Sequence, residues 1–444
     1  MGSATTCGKL MSLGVPKETS SNIITMLDKW VTNNGVEWTI DHLKDIKQTF
    51  IGKLAGVELP TKTWVKRRPD GYPAGPLTAM FVRQNIVTPR RLSRALTILT
   101  AHSMYLAPQC TERQRQKFFG SMTSQDRTGM ESAFKQVFRK INGVQNPRDQ
   151  LRPFFEFCVS AKHRAPGGTL ATVPENDYLS VLQHAVASAS VFGTVNKFPE
   201  IAKRVIPYDD YIWRCQQNYK NMRYTKAVML QDNYGVISGI QEPGFKLRAV
   251  ANPDRVIQAM LEPLKRAVMD HLETLPFDHT HDQTAAIPKV QEMLRSGERV
   301  HSVDLSDATN LFPLPLQVDL LRKMLPPQYD EFISIFERVS SGNWLTKLRG
   351  EPEIVRFSRG QPLGLGPSFG VFALAHGTLL EGLCERLSLK PEDHFVVLGD
   401  DVVIRGDALN DKYRASLANL GCVVSESKTV SSTQLAEFAG YVIL

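Results

Sequence analysis

Along residues 300–425 the spacing of hydrophobic and polar positions changes repeatedly, and each change marks an element. Residues 300–303 are a short apolar run ending at Asp304, which reads as a strand. Helical spacing follows over 316–325 and again over 369–387. The runs 394–398, apolar after His394, and 402–404 flank Gly399-Asp400-Asp401, a turn signature between two strands. A helical pattern over 408–420 and a strand over 422–425 complete the string β-α-β-β-α-β. That is the split βαβ, ferredoxin-like order, a common one that hosts many functions. Nearer the amino terminus, residues 20–60 read as helical, with Ile23, Ile24, Leu27, Trp30 and Val31 on one helix period. The chain is therefore expected to be α+β, and with no repeat and no Gly/Pro-rich linker its lobes are expected to share interfaces.

The 444 residues are 42% hydrophobic and 22% charged, which excludes disorder and fibrous repeats and leaves room for two or three lobes. No window reaches the ~18 uninterrupted apolar residues of a membrane-spanning helix. The best stretches, 185–195 and 368–383, are short or broken by Gly and His, so no transmembrane segment is expected. None of the 6 cysteines sits in a Cys-x-x-Cys pair, which argues against a disulfide framework or a thiolate zinc site and for a reducing compartment. The amino terminus lacks a signal-peptide apolar core and an Arg-rich presequence. Met1-Gly2-Ser3-Ala4-Thr5-Thr6 fits the short myristoylation pattern, with Cys7 nearby, but a single such chain anchors only marginally. An intracellular site is expected, the cytoplasm ahead of the mitochondrion.

Charge separates the chain into halves. Residues 1–250 hold 34 Lys and Arg against 19 Asp and Glu, a net +15, whereas 251–444 hold 19 against 26, a net −7. The segment 62–94 concentrates Lys62, Lys66, Arg67, Arg68, Arg83, Arg90, Arg91 and Arg94 against Asp70 alone. Another stretch, 219–226, alternates rings and cations, a composition that can stack on bases and meet phosphates. Arg67, Arg68, Arg90 and Arg91 are the expected nucleic-acid contacts; a solvated basic face is the competing explanation.

The split βαβ order places the first strand beside the hairpin strands, so Asp304 can converge with Asp400 and Asp401. Carboxylates gathered at one point repel, and oxygen-only donors favour Mg²⁺, or Mn²⁺, over zinc. Two such ions ~3.5–4 Å apart can activate a hydroxyl and stabilise a leaving pyrophosphate oxygen. Gly and Asp also suit a plain hairpin turn. Consecutive charges between runs as apolar as 395–398 and 402–404 nevertheless ask for compensation.

With these residues in view, the chain resembles viral RNA-dependent RNA polymerases of the narnavirus, mitovirus, ourmia-like and levivirus lineage, in order from about Gly244 to Gly440. Residues 244–251, Gln258 and 261–264 resemble the fingers motif whose basic residues meet the triphosphate, and 275–283 the segment after it. Asp304-Leu305-Ser306-Asp307-Ala308-Thr309 resembles palm motif A. Gly360-Gln361-Pro362-Leu363-Gly364, Ser368 and Phe372-Ala373-Leu374-Ala375-His376 resemble motif B. Gly399-Asp400-Asp401 is the motif C signature, Lys428 falls where motif D places its lysine, and Glu437-Phe438-Ala439-Gly440 resembles the segment beyond. Single motifs are weak, but their order and distances are specific.

The resemblance implies a right-hand fold with fingers and a ferredoxin-like palm, copying an RNA template from nucleoside triphosphates. It divides the chain into 1–215, a basic region with part of the fingers, 216–296, fingers with the triphosphate segment, and 297–444, the palm. Asp304, Asp400 and Asp401 are implied metal ligands for two Mg²⁺, and Lys428 an implied proton donor to pyrophosphate. Lys246 and Arg248, on one face if extended, are implied triphosphate contacts, with Gly364 and Ser368 beside the nucleotide. Ser368 also suits a helix N-cap. Gly360, Gln361 and the loop glycines would let RNA approach. His279 and His281 lack a completing ligand cluster, so 275–283 is expected to be a structured fingers loop.

Two departures stand out. Asn310 takes a position where related enzymes commonly carry an acid, and its amide can still meet a ribose hydroxyl. The chain also stops at Leu444, where the family continues into a thumb, so the thumb is expected to be absent, truncated or supplied by a second chain. The rivals are a reverse transcriptase, which usually has an aromatic where Leu398 stands, and a silent polymerase relic that binds RNA.

Overall fold

The computed structural model describes residues 14–75, 89–126, 233–253 and 255–444, with isolated positions outside those ranges. Residues 1–7, 185–195 and 219–226 and the side chain of Arg90 lie outside the described residues.

The amino-terminal helical pattern resolves into α1 (Lys17–Asn34) and α2 (Val36–Ala55), which part at Gly35, where φ is +84°. Glycine is the residue that adopts such a φ without strain, so the break is local in origin. Gly56 ends α2 in the left-handed conformation. Helix α3 (Pro89–Leu99) packs Leu92, Ala95, Ile98 and Leu99 against Ile23, Leu27, Leu43 and Phe50 in a separate core. Helix α4 (Glu112–Met122) opens with a capping box between Thr111 and Gln114.

Strands β1 (Gly235–Glu242) and β2 (Lys246–Pro253) form a long antiparallel hairpin. Helices α5 (Arg255–Leu272) and α6 (Ala286–Arg295) follow. Strand β3 (Val300–Ser306) is buried along most of its length, as a central strand covered on both faces must be. Beyond it come α7 (Leu314–Met324), α8 (Asp330–Ser340), β4 (Trp344–Thr346) and β5 (Glu353–Val355). The last two extend the first hairpin into a sheet of order β2-β1-β4-β5.

The buried helix α9 (Ser368–Arg386) leads to β6 (Phe395–Leu398), β7 (Asp401–Arg405), α10 (Asp407–Asn419), β8 (Val423–Val424) and β9 (Val430–Ser432). The second sheet runs β8-β3-β7-β6, with β9 also on β3, which is the expected split βαβ order. Alternation along its strands sends Val397, Val402 and Ile404 toward α9 and α10, and Val300, Val396 and Val403 toward α6. A terminal hairpin of β10 (Ala436–Phe438) and β11 (Tyr441–Ile443) joins the α6 side through Phe438 and Ile443.

One continuous core runs from Tyr234 to Leu420 and takes in Phe119 and Met122. The 275–283 segment is held against the second sheet. The Val397 N–H donates to Phe277 O and the His279 N–H to Val397 O, both at 2.9 Å, so the segment pairs with the outer edge of β6. An unpaired strand edge supplies the reason. His279 and His281 use their rings on the main-chain carbonyls of Asp282 and Met269.

Candidate active site

Asp304 and Asp401 are directly opposed across β3 and β7, which puts both carboxylates on one face of the sheet. Asp400 belongs to the two-residue turn between Leu398 and Asp401, entered through Gly399 at φ +58°. Strand β3 continues two residues beyond Asp304, so this aspartate marks the point where its edge partner changes from β9 to β8 rather than the strand end. Chain 425–429 turns away at that gap: the Ser425 N–H donates to Asp304 O at 2.8 Å, and Lys428 and Thr429 both bond back to Ser425 O. The turn brings Lys428 Nζ to 3.0 and 2.9 Å from the two Asp304 oxygens.

The carboxylates feel one another. Burial, then the charges of Asp400 and Asp304, push the Asp401 carboxyl up to about 6, while Lys428 and the Ala439 N–H oppose the rise. Asp400 has an exposed surface, yet crowding by protein and the Asp304 charge raise it too, against Lys428 and Lys246. The donor set is all oxygen and carries excess negative charge, which suits a hard divalent cation. Among the described residues no three His, Cys, Asp or Glu side chains close on one point as a ligand set; Asp304 holds the Lys428 ammonium instead.

Behind the turn, His376 of α9 is fully buried, with Nδ1 2.7 Å from Gly399 O and Nε2 2.6 Å from Tyr413 OH. A carbonyl only accepts, so Nδ1 carries the proton and Tyr413 donates to Nε2. Burial holds the ring neutral, its pKa lowered to about 4.

Lys246 and Arg248 share the exposed face of β2, as their alternation implied, and both pair with Glu242, at 3.6 and 2.6 Å. The remaining expected contacts are occupied inside the protein. Gln361 is buried and its amide donates to Gln317 Oε1 and Ser368 O. Ser368 caps no helix; its hydroxyl donates to Pro362 O at 2.7 Å, closing the loop. A Cβ on Gly360 would lie 2.0 Å from Thr309 O, and one on Gly364, where φ is +113°, would lie 2.3 Å from Ala251 O. At these glycines it is protein backbone that approaches closely. Gln258 clasps the same loop, donating to Gly364 O and accepting from the Gly366 N–H. Asn310 is buried and donates to Ser121 Oγ of α4 at 2.8 Å. Arg67 and Arg68 pair with Glu58 and Asp70, and Arg91 is exposed on α3.

Sequence reasoning gave no role to several residues that the fold brings in. Glu437 faces Lys47 at 3.9 Å and lies within the field of Asp304 and Lys428; burial raises its carboxyl. Its signal was a lone charge between the buried Ala436 and Phe438. Lys44, also on α2, donates to Gly244 O at the tip of the first hairpin, and Gln114 donates to Phe245 O. Ser432 donates to Ala55 O, so α2 spans from the basic hairpin to the sheet holding the aspartates.

Residues 176–443 match the family model described as mitovirus RNA-dependent RNA polymerase. The RNA-directed RNA polymerase of Cryphonectria parasitica mitovirus 1 (strain American chestnut tree/New Jersey/NB631) is 28% identical over 212 residues, 46% of this chain and 25% of that one. The chain thus spans a quarter of that relative's length. An uncharacterized mitochondrial protein of Arabidopsis thaliana is 30% identical over 175 residues, 38% of this chain and 69% of its own. Among solved structures, a chain from the in situ structures of the segmented genome and RNA polymerase complex inside a dsRNA virus covers 100% of this chain and 43% of its own. Its TM-score is 0.53 and its identity 10%, a likeness of fold alone. Among the described residues no helix is long and apolar enough to cross a membrane.

Proposed function

This chain belongs to the mitovirus RNA-dependent RNA polymerase family, and on that premise we propose that it copies an RNA template into RNA from ribonucleoside triphosphates. The carrying observation is the cross-strand placement of Asp304 beside Asp401, next to the Asp400 turn. In this reading the second sheet is the palm and the β1–β2 hairpin belongs to the fingers. Asp304, Asp400 and Asp401 would hold Mg²⁺, or Mn²⁺. Bound there, divalent ions supply charge neutralisation and hydroxyl activation for in-line phosphoryl transfer.

The chain's own residues do the rest. Lys246 and Arg248 exchange Glu242 for the triphosphate, a stronger multivalent anion. Lys428, freed from Asp304, delivers a proton to the departing pyrophosphate. His376 and Tyr413 hold the turn carbonyl, so Asp400 and Asp401 keep their aim.

The test is extension of a primed RNA template by the purified chain with ribonucleotides or deoxyribonucleotides. Incorporation of ribonucleotides directed by template sequence supports the reading; deoxyribonucleotide preference, or RNA binding with no incorporation, overturns it.

A further inference from the structure

A cleft of about 570 Å³ opens between α1, α2 and the segment carrying Lys62 to Lys66, far along the chain from the aspartates. Its wall is aromatic. The Trp38 and His42 rings stack at 4.7 Å and 14°, and Trp30 stands edge-on to both, at 6.2 and 4.8 Å. At the mouth Trp64 is 78% exposed.

That exposure is imposed by the chain on either side. Asp45 of α2, 6% exposed, accepts from the N–H groups of Lys62 and Thr63 and from the Thr63 hydroxyl, all on Oδ2. Since the Thr63 proton goes to Asp45, its oxygen accepts from His42 Nδ1–H at 2.8 Å, which fixes the ring. Val65 is buried in the amino-terminal core. With Thr63 and Val65 both anchored, Trp64 between them is left in water. An indole held in water beside further rings is a binding feature.

The charge says what it binds. Residues 62–68 carry Lys62, Lys66, Arg67 and Arg68 and no acid. Lys62 makes only a 3.8 Å pair with Asp41 and stays 60% exposed, and Lys66 is exposed. Rings interleaved with exposed cations match the alternation of bases and phosphates on a single strand.

We propose that this cleft is a single-stranded RNA site, with a base stacked on Trp64 and flanking phosphates on Lys62 and Lys66. It rests on the reading that RNA is the substrate. Helix α2 connects the two places, since Trp38 and His42 line the cleft and Lys47 meets Glu437. From Trp38 to Lys47 the helix rises about 14 Å, a span of a few nucleotides. The cleft therefore guides a strand entering or leaving the aspartate site.

The experiment is fluorescence anisotropy of a labelled oligouridylate and of a labelled RNA duplex on the full chain, beside nucleotide incorporation on a primed template. Trp64→Ala is expected to weaken the single strand about 5- to 100-fold, with Trp64→Phe restoring most of it and duplex affinity unmoved. Trp64 is exposed, so folding is spared, and thermal unfolding verifies it. Unchanged oligouridylate affinity in Trp64→Ala overturns the proposal, including the case where the cleft docks a protein, and leaves the polymerase reading standing. Loss of single-strand binding without any incorporation by the wild type supports the cleft and sinks the polymerase reading.

Discussion

Lys428 and Asp304 form a fork, one ammonium against both carboxylate oxygens at 3.0 and 2.9 Å. The lysine is 65% exposed and its partner 21%, so the pair adds little to stability. Its position makes it a competitor for any cation at Asp304. Lys428→Ala should tighten Mn²⁺ binding, read by titration calorimetry, while nucleotide incorporation drops by about 10²-fold or more. Thermal unfolding should hardly move. Weaker Mn²⁺ binding in the variant would remove Lys428 from the aspartate site.

Glu242 holds Lys246 and Arg248 together on the exposed face of β2. Removing either cation deletes a charged contact worth about 1.5–3 kcal/mol, so Lys246→Ala and Arg248→Ala should each raise the nucleotide KM by about tenfold or more. Glu242→Gln should lower it. Steady-state kinetics at fixed template decides, and a KM unchanged in all three variants would exclude the hairpin from triphosphate binding.

The loop glycines should respond as packing positions. Gly364→Ala forces a Cβ to 2.3 Å from Ala251 O at φ +113° and should cost about 1–3 kcal/mol. A lowered melting temperature with single-strand RNA affinity retained is the expected pair of results; lost affinity at unchanged melting temperature would assign the loop to the approach of RNA instead.

His376 links the turn to α10 by way of Tyr413. His376→Phe keeps a ring but strands two buried polar groups, each at about 1–3 kcal/mol. The wild-type ring has a folded pKa lowered to about 4 against 6.5 unfolded. Between those values only the unfolded chain takes up the proton, so the histidine's contribution is full above pH 6.5 and is lost as pH falls toward 4. The stability gap between wild type and variant should therefore narrow on acidification, by up to about 3 kcal/mol. Urea midpoints at pH 7 and pH 5 measure it, and a gap independent of pH would mean that the ring takes up its proton as readily in the fold as in the unfolded chain.

Much of this was readable from the chain. The shift from strand to helix spacing and the two apolar runs around Gly399 mark the split βαβ string, because burial on both faces of β6 and of the middle of β7 keeps Phe395–Val397 and Val402–Ile404 apolar. Lys246 and Arg248 flank the less exposed Leu247, a plain period of two. What stayed hidden depends on contacts far apart in sequence. Gln361 and Ser368 look free to meet ligands until Gln317 and Pro362 are seen to satisfy them. Nothing local marks α2 as the bridge between hairpin and sheet, since Ala55 meets Ser432 377 positions later. The edge pairing of 275–283 on β6 likewise follows from an open strand edge elsewhere.

Asp400 offers the most direct measurement of the central claim. Asp400→Asn preserves size and the turn while removing one charge from the aspartate cluster, so only charge stabilisation of the transferring phosphoryl group should suffer. Single-nucleotide incorporation on a primed RNA template, measured beside RNA affinity for the same preparation, separates the two functions. The expected outcome is incorporation reduced by at least about 10²-fold with RNA affinity unchanged. Incorporation at a rate comparable to wild type would contradict the assignment of Asp304, Asp400 and Asp401 as the polymerase centre.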